Sequence, residues 1–201
     1  MLNYVNCLLR IIVGLFIPNK KYSIPKQCWQ IFSRFSWEIP QTLLGFIFSI
    51  FYSLSGKVLW VHFSNGATII QCKVNFGGFS LSNYIVGNTK INGNPSQRLF
   101  QHEYGHLLQS KVSGIIYLLK YALPSLISSY RHDFYGHCIH PVEQDANIRA
   151  KNYWDNYYQH LYIWDNDYNP IYKHIKAASI EWYDFIPVYF PVIHAIKAFK
   201  K

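Results

Sequence analysis

Along the chain, apolar and polar residues alternate in four distinct patterns. Residues 1–17 are apolar apart from Arg10, Asn3 and Asn6, and Pro18 closes them. No positive charge precedes this run and no small-residue cleavage site follows it, so a lipid-lying or amphipathic helix is expected, not a cleaved leader. Residues 19–37 mix Lys20, Lys21, Lys26 and Arg34 with Trp29 and Trp37. That composition suits a membrane–water interface, and equally a plain surface connection. Residues 39–56 form an uncharged run that is apolar on every side. As a helix it would measure about 27 Å, just short of a bilayer core of about 30 Å. It reads as a buried central helix or as a marginal membrane span.

The period then changes. Residues 58–63 and 68–73 are rich in β-formers and flank Asn65-Gly66, a strong hairpin turn. Gly77-Gly78 permits another turn, and 79–86 alternates as a third strand, so a small antiparallel sheet is predicted. A helix is predicted next, with Asn94 as N-cap, Pro95 in its first turn and Gly114 as its stop. Residues 115–130 predict a further apolar helix interrupted only by Lys120, which Pro124 should end or kink. Residues 131–141 read as a histidine-rich polar loop. A helix from near Pro141 to about Tyr158, a loop over 159–170, a helix over 171–183 and a basic amphipathic tail over 185–201 complete the pattern. The fold class expected is α+β, a mostly helical domain with a small antiparallel sheet before the central helix. One domain is expected, with apolar N-terminal helices over 1–57, a core over 58–158 and C-terminal helices over 159–201.

The chemistry lies within the central helix, where residues 102–106 read His-Glu-Tyr-Gly-His. This is the H-E-x-x-H pattern of zinc hydrolases. On a helix, Leu99, His102, His106 and Gln109 share a face, which brings the two imidazoles within about 5–6 Å at Cβ. Glu103 is turned by about 100° from His102, beside a metal instead of on it, where it can take a proton from water. Gly105 adds no side chain beside the site. A catalytic zinc site takes three protein ligands and leaves one position open. The candidates downstream are His132, Asp133, His137, Cys138, His140, Glu143 and Asp145. Glu143 stands out because it opens the helix after Pro141, where a carboxylate stays ionised. Asn147, one turn on, can accept a hydrogen bond from the far nitrogen of a ligating histidine, and Ala146 lets two helices approach. His140 is the alternative third ligand.

HEYGH followed 37 residues after its last histidine by E-x-x-A-N resembles the gluzincin zinc peptidases. Within them it is most similar to the HtpX-type and CAAX-processing membrane proteases. The resemblance covers roughly residues 95–150. It implies that His102, His106 and Glu143 hold zinc, that Glu103 is the general base, and that Asn147 stands where the family carries an aspartate, an amide supporting histidine less strongly than a carboxylate. The residue that would stabilise the transition state is not placed by it; His137, His140 and Tyr135 are candidates. The implied activity is peptide-bond hydrolysis. The alternative is a catalytically inactive zinc-binding or scaffold protein at a membrane.

Composition narrows the setting. Half of the 201 residues are hydrophobic and 14% are charged, against about 25% in an ordinary soluble protein. The net charge of +9 favours an anionic surface, lipid or nucleic acid. No zinc finger, RRM-like or helix-turn-helix pattern supports nucleic acid as a partner. The expected partners are a peptide or protein substrate and a membrane. Cys7, Cys28, Cys72 and Cys138 show no C-x-x-C spacing and read as free thiols on a reducing side.

Overall fold

The computed structural model describes residues 2–131 and 134–172. The fold is α+β, a small sheet between two helical layers. The N-terminal layer contains α1 (Leu2–Gly14), α2 (Ile24–Arg34) and α3 (Ile39–Leu54). Residues 24–34 are thus a helix and not a bare connection; Pro25 sits in its first turn, where the missing N–H costs nothing. Of the helix expected over 171–183, Ile171 and Tyr172 are coil, and the rest of it and the tail over 185–201 lie outside the described residues.

The sheet departs from the expectation in two respects. It has four strands, β1 (Val58–Ser64), β2 (Ala67–Cys72), β3 (Gly78–Leu81) and β4 (Tyr84–Gly87), in the order β1-β2-β4-β3. It is also mixed, since β2 and β4 run parallel while the other pairs are antiparallel. The single strand read over 79–86 is broken by a two-residue turn at Ser82-Asn83. Ser82 takes φ 55°, and its hydroxyl donates to Glu38 Oε2 at 3.3 Å while Asn83 Nδ2 donates to the Gly14 carbonyl at 3.1 Å. These anchors come from distant segments, so the alternation of the strand carries no trace of them. The Asn65-Gly66 hairpin forms as expected, both residues at positive φ (53° and 78°) as a two-residue hairpin turn requires.

The two strands at the centre are buried on both faces. Ile69 and Ile85 pack with Phe100, Tyr104, Leu107 and Trp154 of α4 (Arg98–Ser113) and α7 (Pro141–Tyr158). On the other face Ile70, Tyr84 and Val86 pack with Ile11 of α1 and Phe46 of α3. The short N-terminal layer is fastened by one cation. Arg34 is fully buried, and its guanidinium donates to the carbonyls of Gly14 (3.0 Å), Leu15 (2.6 Å), Ile17 (2.9 Å) and Gly66 (2.8 Å). Burial pulls its pKa down to about 10, against the opposing pull of Glu38.

Helix α4 starts later than the sequence suggests. Asn94 forms a local turn instead, its side chain accepting the Ser96 N–H at 2.9 Å, and Gln97 becomes the cap by accepting the Phe100 N–H at 2.6 Å. Gly114, at φ 53°, ends the helix as expected. The apolar run that follows is a 3-10 turn at Gly114–Ile116, a π turn at Leu118–Ala122 and then α5 (Leu123–Arg131). Pro124 therefore does not end a helix; it sits in the first turn of α5, directly after the irregular π turn, where its ring is tolerated. Part of the polar loop predicted over 131–141 is a short helix, α6 (Phe134–Cys138).

Candidate metal centre

Helices α4 and α7 cross where side chains are smallest. A Cβ built on Gly105 would lie 2.2 Å from the Ala146 carbonyl oxygen. Gly105 thus does more than leave room beside the site: it lets two backbones meet, and the residues one turn to either side of the crossing face each other. His102, His106 and Glu143 are brought together there, with one ligand atom from each lying in a tight cluster. His106 Nε2 is 3.3 Å from His102 Nε2, and Glu143 Oε2 is 3.1 Å from both imidazoles. Ligand atoms at about 2.0–2.1 Å from a tetrahedral zinc stand about 3.3–3.4 Å apart, so the three atoms fit the ion. The donor set of two imidazoles and a carboxylate is one that zinc accepts.

The far side of each imidazole is held. His102 Nδ1 faces Asn147 Oδ1 at 2.9 Å. Asn147 Nδ2 donates to the Pro170 carbonyl at 3.2 Å, which fixes the amide so that its oxygen faces the histidine. A neutral His102 held in this way has its proton on Nδ1, which leaves Nε2 free to serve as the ligand atom. His106 Nδ1 meets Gln109 Oε1 at 2.8 Å, and Gln109 Nε2 donates to the Val142 carbonyl (2.8 Å) and to Asp145 Oδ2 (3.0 Å). Arg149 Nε donates to the same Asp145 oxygen at 2.6 Å. Helical spacing puts Gln109 on the histidine face but assigns it no role, and Asp145 is among the candidate ligands. The structure places Asp145 behind Gln109 instead. The i, i+3 spacing of His106 and Gln109 was the available signal; the link from Gln109 to Asp145 crosses helices and has none.

His140 does not join the cluster. Its Nδ1 accepts the Val142 N–H at 3.3 Å and caps α7. Tyr135 is exposed and packs edge-on to Tyr172. His137 lines the cleft, with Nε2 3.7 Å from Glu143 Oε2 and Nδ1 3.1 Å from Ser128 Oγ. His132 and Asp133 lie outside the described residues.

His102 and Glu143 of the cluster line a cleft of about 300 Å³. Glu103, Gly78, Phe76, Phe134 and Tyr168 contribute to its walls. Glu103 is almost fully buried against β3, since a Cβ on Gly78 would approach its Oε1 to 3.0 Å. Its Oε2, and Oε1 of Glu143, are buried without a hydrogen-bond partner. Two such carboxylate oxygens beside two imidazoles are costly unless a cation or water meets them. Burial raises the Glu103 pKa, and the two histidines only partly offset it. Burial lowers the basicity of His106, but the Glu143 carboxylate more than reverses this and lifts it to about 9. The same balance raises His102, and Glu143, despite burial, is held well below the usual carboxylate range by His106 and His102.

Compared with protein-family models, curated proteins and solved structures, the chain matches none.

Proposed function

We propose that the protein is a zinc-dependent peptidase that works while associated with a membrane. The observation that supports it best is the convergence of His102, His106 and Glu143 on one point beside the unpartnered carboxylate of Glu103. His102, His106 and Glu143 would hold the metal. Bound there, zinc would make a water more acidic and polarise the peptide carbonyl. The remaining work falls to the chain. Glu103 takes the proton from the attacking water and delivers it to the departing amine. Its burial, which raises its pKa, brings it nearer to the range in which one group can do both. Asn147 and Gln109 hold the two imidazoles in the tautomer that presents Nε2. His137, on the cleft wall, is the group best placed to face the carbonyl oxygen of a substrate. The edge strand β3 passes Glu103 at Gly78, so an extended peptide can add to it as a further strand.

A non-catalytic zinc-binding scaffold is the second reading, favoured by the weaker support that the Asn147 amide gives His102. One experiment separates the two. Purified protein should hold one zinc per chain, and Glu103→Gln should keep that zinc while losing cleavage of a peptide library. Absence of stoichiometric zinc at neutral pH would refute both readings. Cleavage at an undiminished rate by the Gln variant would refute the role of Glu103.

A further inference from the structure

The N-terminal layer is built inside out. On α3 the fully or nearly buried residues are Gln41, Thr42, Gly45, Ser49 and Ser53, while Leu43, Leu44, Ile47, Phe48 and Phe51 face outward. The polar face bonds inward at three points, where Gln41 Nε2 donates to the Gly114 carbonyl at 2.8 Å, Thr42 Oγ1 to Ser82 Oγ at 2.8 Å, and Ser49 Oγ to the Gly45 carbonyl at 2.6 Å, while Gln41 Oε1 and Ser53 Oγ are buried without a partner. Helix α2 repeats the arrangement, burying Gln30, Ser33 and Arg34 and exposing Trp29 and Phe32. Outward Leu9, Ile12 and Val13 extend the surface onto α1, and Ile115, Leu119 and Leu126 extend it past the end of α4. The elements are neighbours, α1 and α2 against α3 and α3 against the 3-10 turn at Gly114–Ile116, so these outward residues lie on adjoining elements. In water a helix with these two faces turns the other way. Small and hydrogen-bonded residues inward with large apolar residues outward is the arrangement that suits a helix against hydrocarbon.

We propose that this surface embeds in one leaflet of an anionic lipid bilayer without crossing it. This deepens the membrane association proposed above and rests on it, but it does not depend on the metal or on catalysis. The depth follows from length. Among the described residues no helix is long and apolar enough to cross a membrane; α3, with 16 residues, spans about 24 Å against a hydrocarbon core of about 30 Å. The lipid class follows from charge. Glu38 is the one acidic residue in the first 101, and it is buried. Exposed Lys20 and Lys21 precede α2, exposed Lys26 is in its first turn, and exposed Lys57 follows α3. With exposed Arg10 of α1, they are cations on or next to the helices that carry the outward apolar residues, where lipid headgroups can reach them. The same excess of positive charge opposes covering the surface with a second copy of the chain.

The test is flotation of the full-length protein with phosphatidylcholine vesicles, with and without about a quarter phosphatidylglycerol. The protein is expected to float with the anionic vesicles at least about tenfold better than with neutral ones, and its tryptophan fluorescence should be quenched more by nitroxides at shallow acyl positions than at deep ones. The triple variant Leu43→Ser, Ile47→Ser, Phe51→Ser changes only outward residues; it should lose flotation while keeping its circular dichroism and its zinc content. Lys20→Gln with Lys21→Gln and Lys26→Gln should lose the preference for anionic vesicles. Protein that stays at the bottom of the gradient overturns the proposal, as does a detergent-free dimer that hides the surface. Equal quenching from deep and shallow positions overturns the single-leaflet geometry. Retention of zinc in a protein that does not float would separate a failure here from a failure of the metal site.

Discussion

Substituting Gly105 by alanine should damage stability and metal affinity together, by amounts that follow from the crossing of α4 and α7. The added methyl would lie 2.2 Å from the Ala146 oxygen, 2.6 Å from its carbonyl carbon and 3.0 Å from its Cα. Ordinary contact needs more than an ångström beyond the shortest of these, and all three obstacles are backbone, so no rotamer change relieves them. The helices must separate by about an ångström, a form of overpacking that costs about 1–3 kcal/mol. Alanine recovers about 1 kcal/mol through its helix propensity. A net loss of up to about 2 kcal/mol at a buried crossing corresponds to a fall in Tm of up to about 8 °C for a chain of this size. The second effect is more specific. His102 and His106 sit on one helix and Glu143 on the other, so the separation pulls Glu143 Oε2 from its 3.1 Å spacing to both imidazoles. Zinc affinity should fall about 10- to 100-fold, the range found when supports of ligands are lost. Chelator competition read with a chromophoric zinc indicator, beside denaturant unfolding in excess chelator, measures the two effects separately. Adding Ala146→Gly should not rescue either, because the obstacle is the Ala146 backbone and not its methyl. A Gly105→Ala protein that binds zinc as the parent does, or a full rescue by Ala146→Gly, would refute the reasoning.

The remaining predictions use the same zinc assay. Glu143→Ala should lower affinity by far more than His140→Ala, whose main effect should be about 1 kcal/mol of lost helix capping seen in denaturant unfolding; the reverse ranking would make His140 the ligand. Gln109→Leu should weaken zinc binding about 10-fold or more by freeing the His106 ring, and Asn147→Asp should strengthen it, since a carboxylate supports the His102 Nδ1 proton better than an amide. In metal-free protein the His106 pKa is raised from 6.5 to about 9, so its pairing with Glu143 stabilises the fold fully below about pH 6.5 and is lost as the pH climbs through about 9. Urea unfolding in chelator across that range should show the decline. Zinc affinity should rise over the same interval as the competing proton leaves, and a flat profile in both experiments would remove the His106–Glu143 pair as their common cause.

How much of this was legible beforehand depends on whether an interaction is local. The Asn65-Gly66 hairpin, α4 with its stop at Gly114 and α7 beginning at Pro141 all follow from short-range rules of turn chemistry, periodicity and proline placement, and the structure has them. That the two histidines share a face with Gln109 is also a matter of helical spacing. Their meeting with Glu143 depends on a crossing between helices, and only the small residues Gly105 and Ala146 hint at it. Long-range anchors were invisible: the turn at Ser82-Asn83 is fixed by Glu38 and Gly14, and the capping role of Gln97 emerges only because Asn94 is taken up in its own turn. The orientation of α3 could not be read from a run that is apolar all round, because nothing in such a run says which side its serines and glutamine will face.

The guanidinium of Arg34 gathers carbonyls from the end of α1, from the chain just after it and from the turn between β1 and β2. A group of four acceptors drawn from three separate segments cannot be released one member at a time without leaving a buried charge unsolvated. The apolar helical layer and the first hairpin should therefore open as one cooperative unit, and amide exchange at Gly14, Ile17 and Gly66 should slow and quicken in step across a temperature series. The layer proposed to meet lipid is in this way mechanically coupled to the sheet on which the cleft is built, so a pull on one is borne by the other.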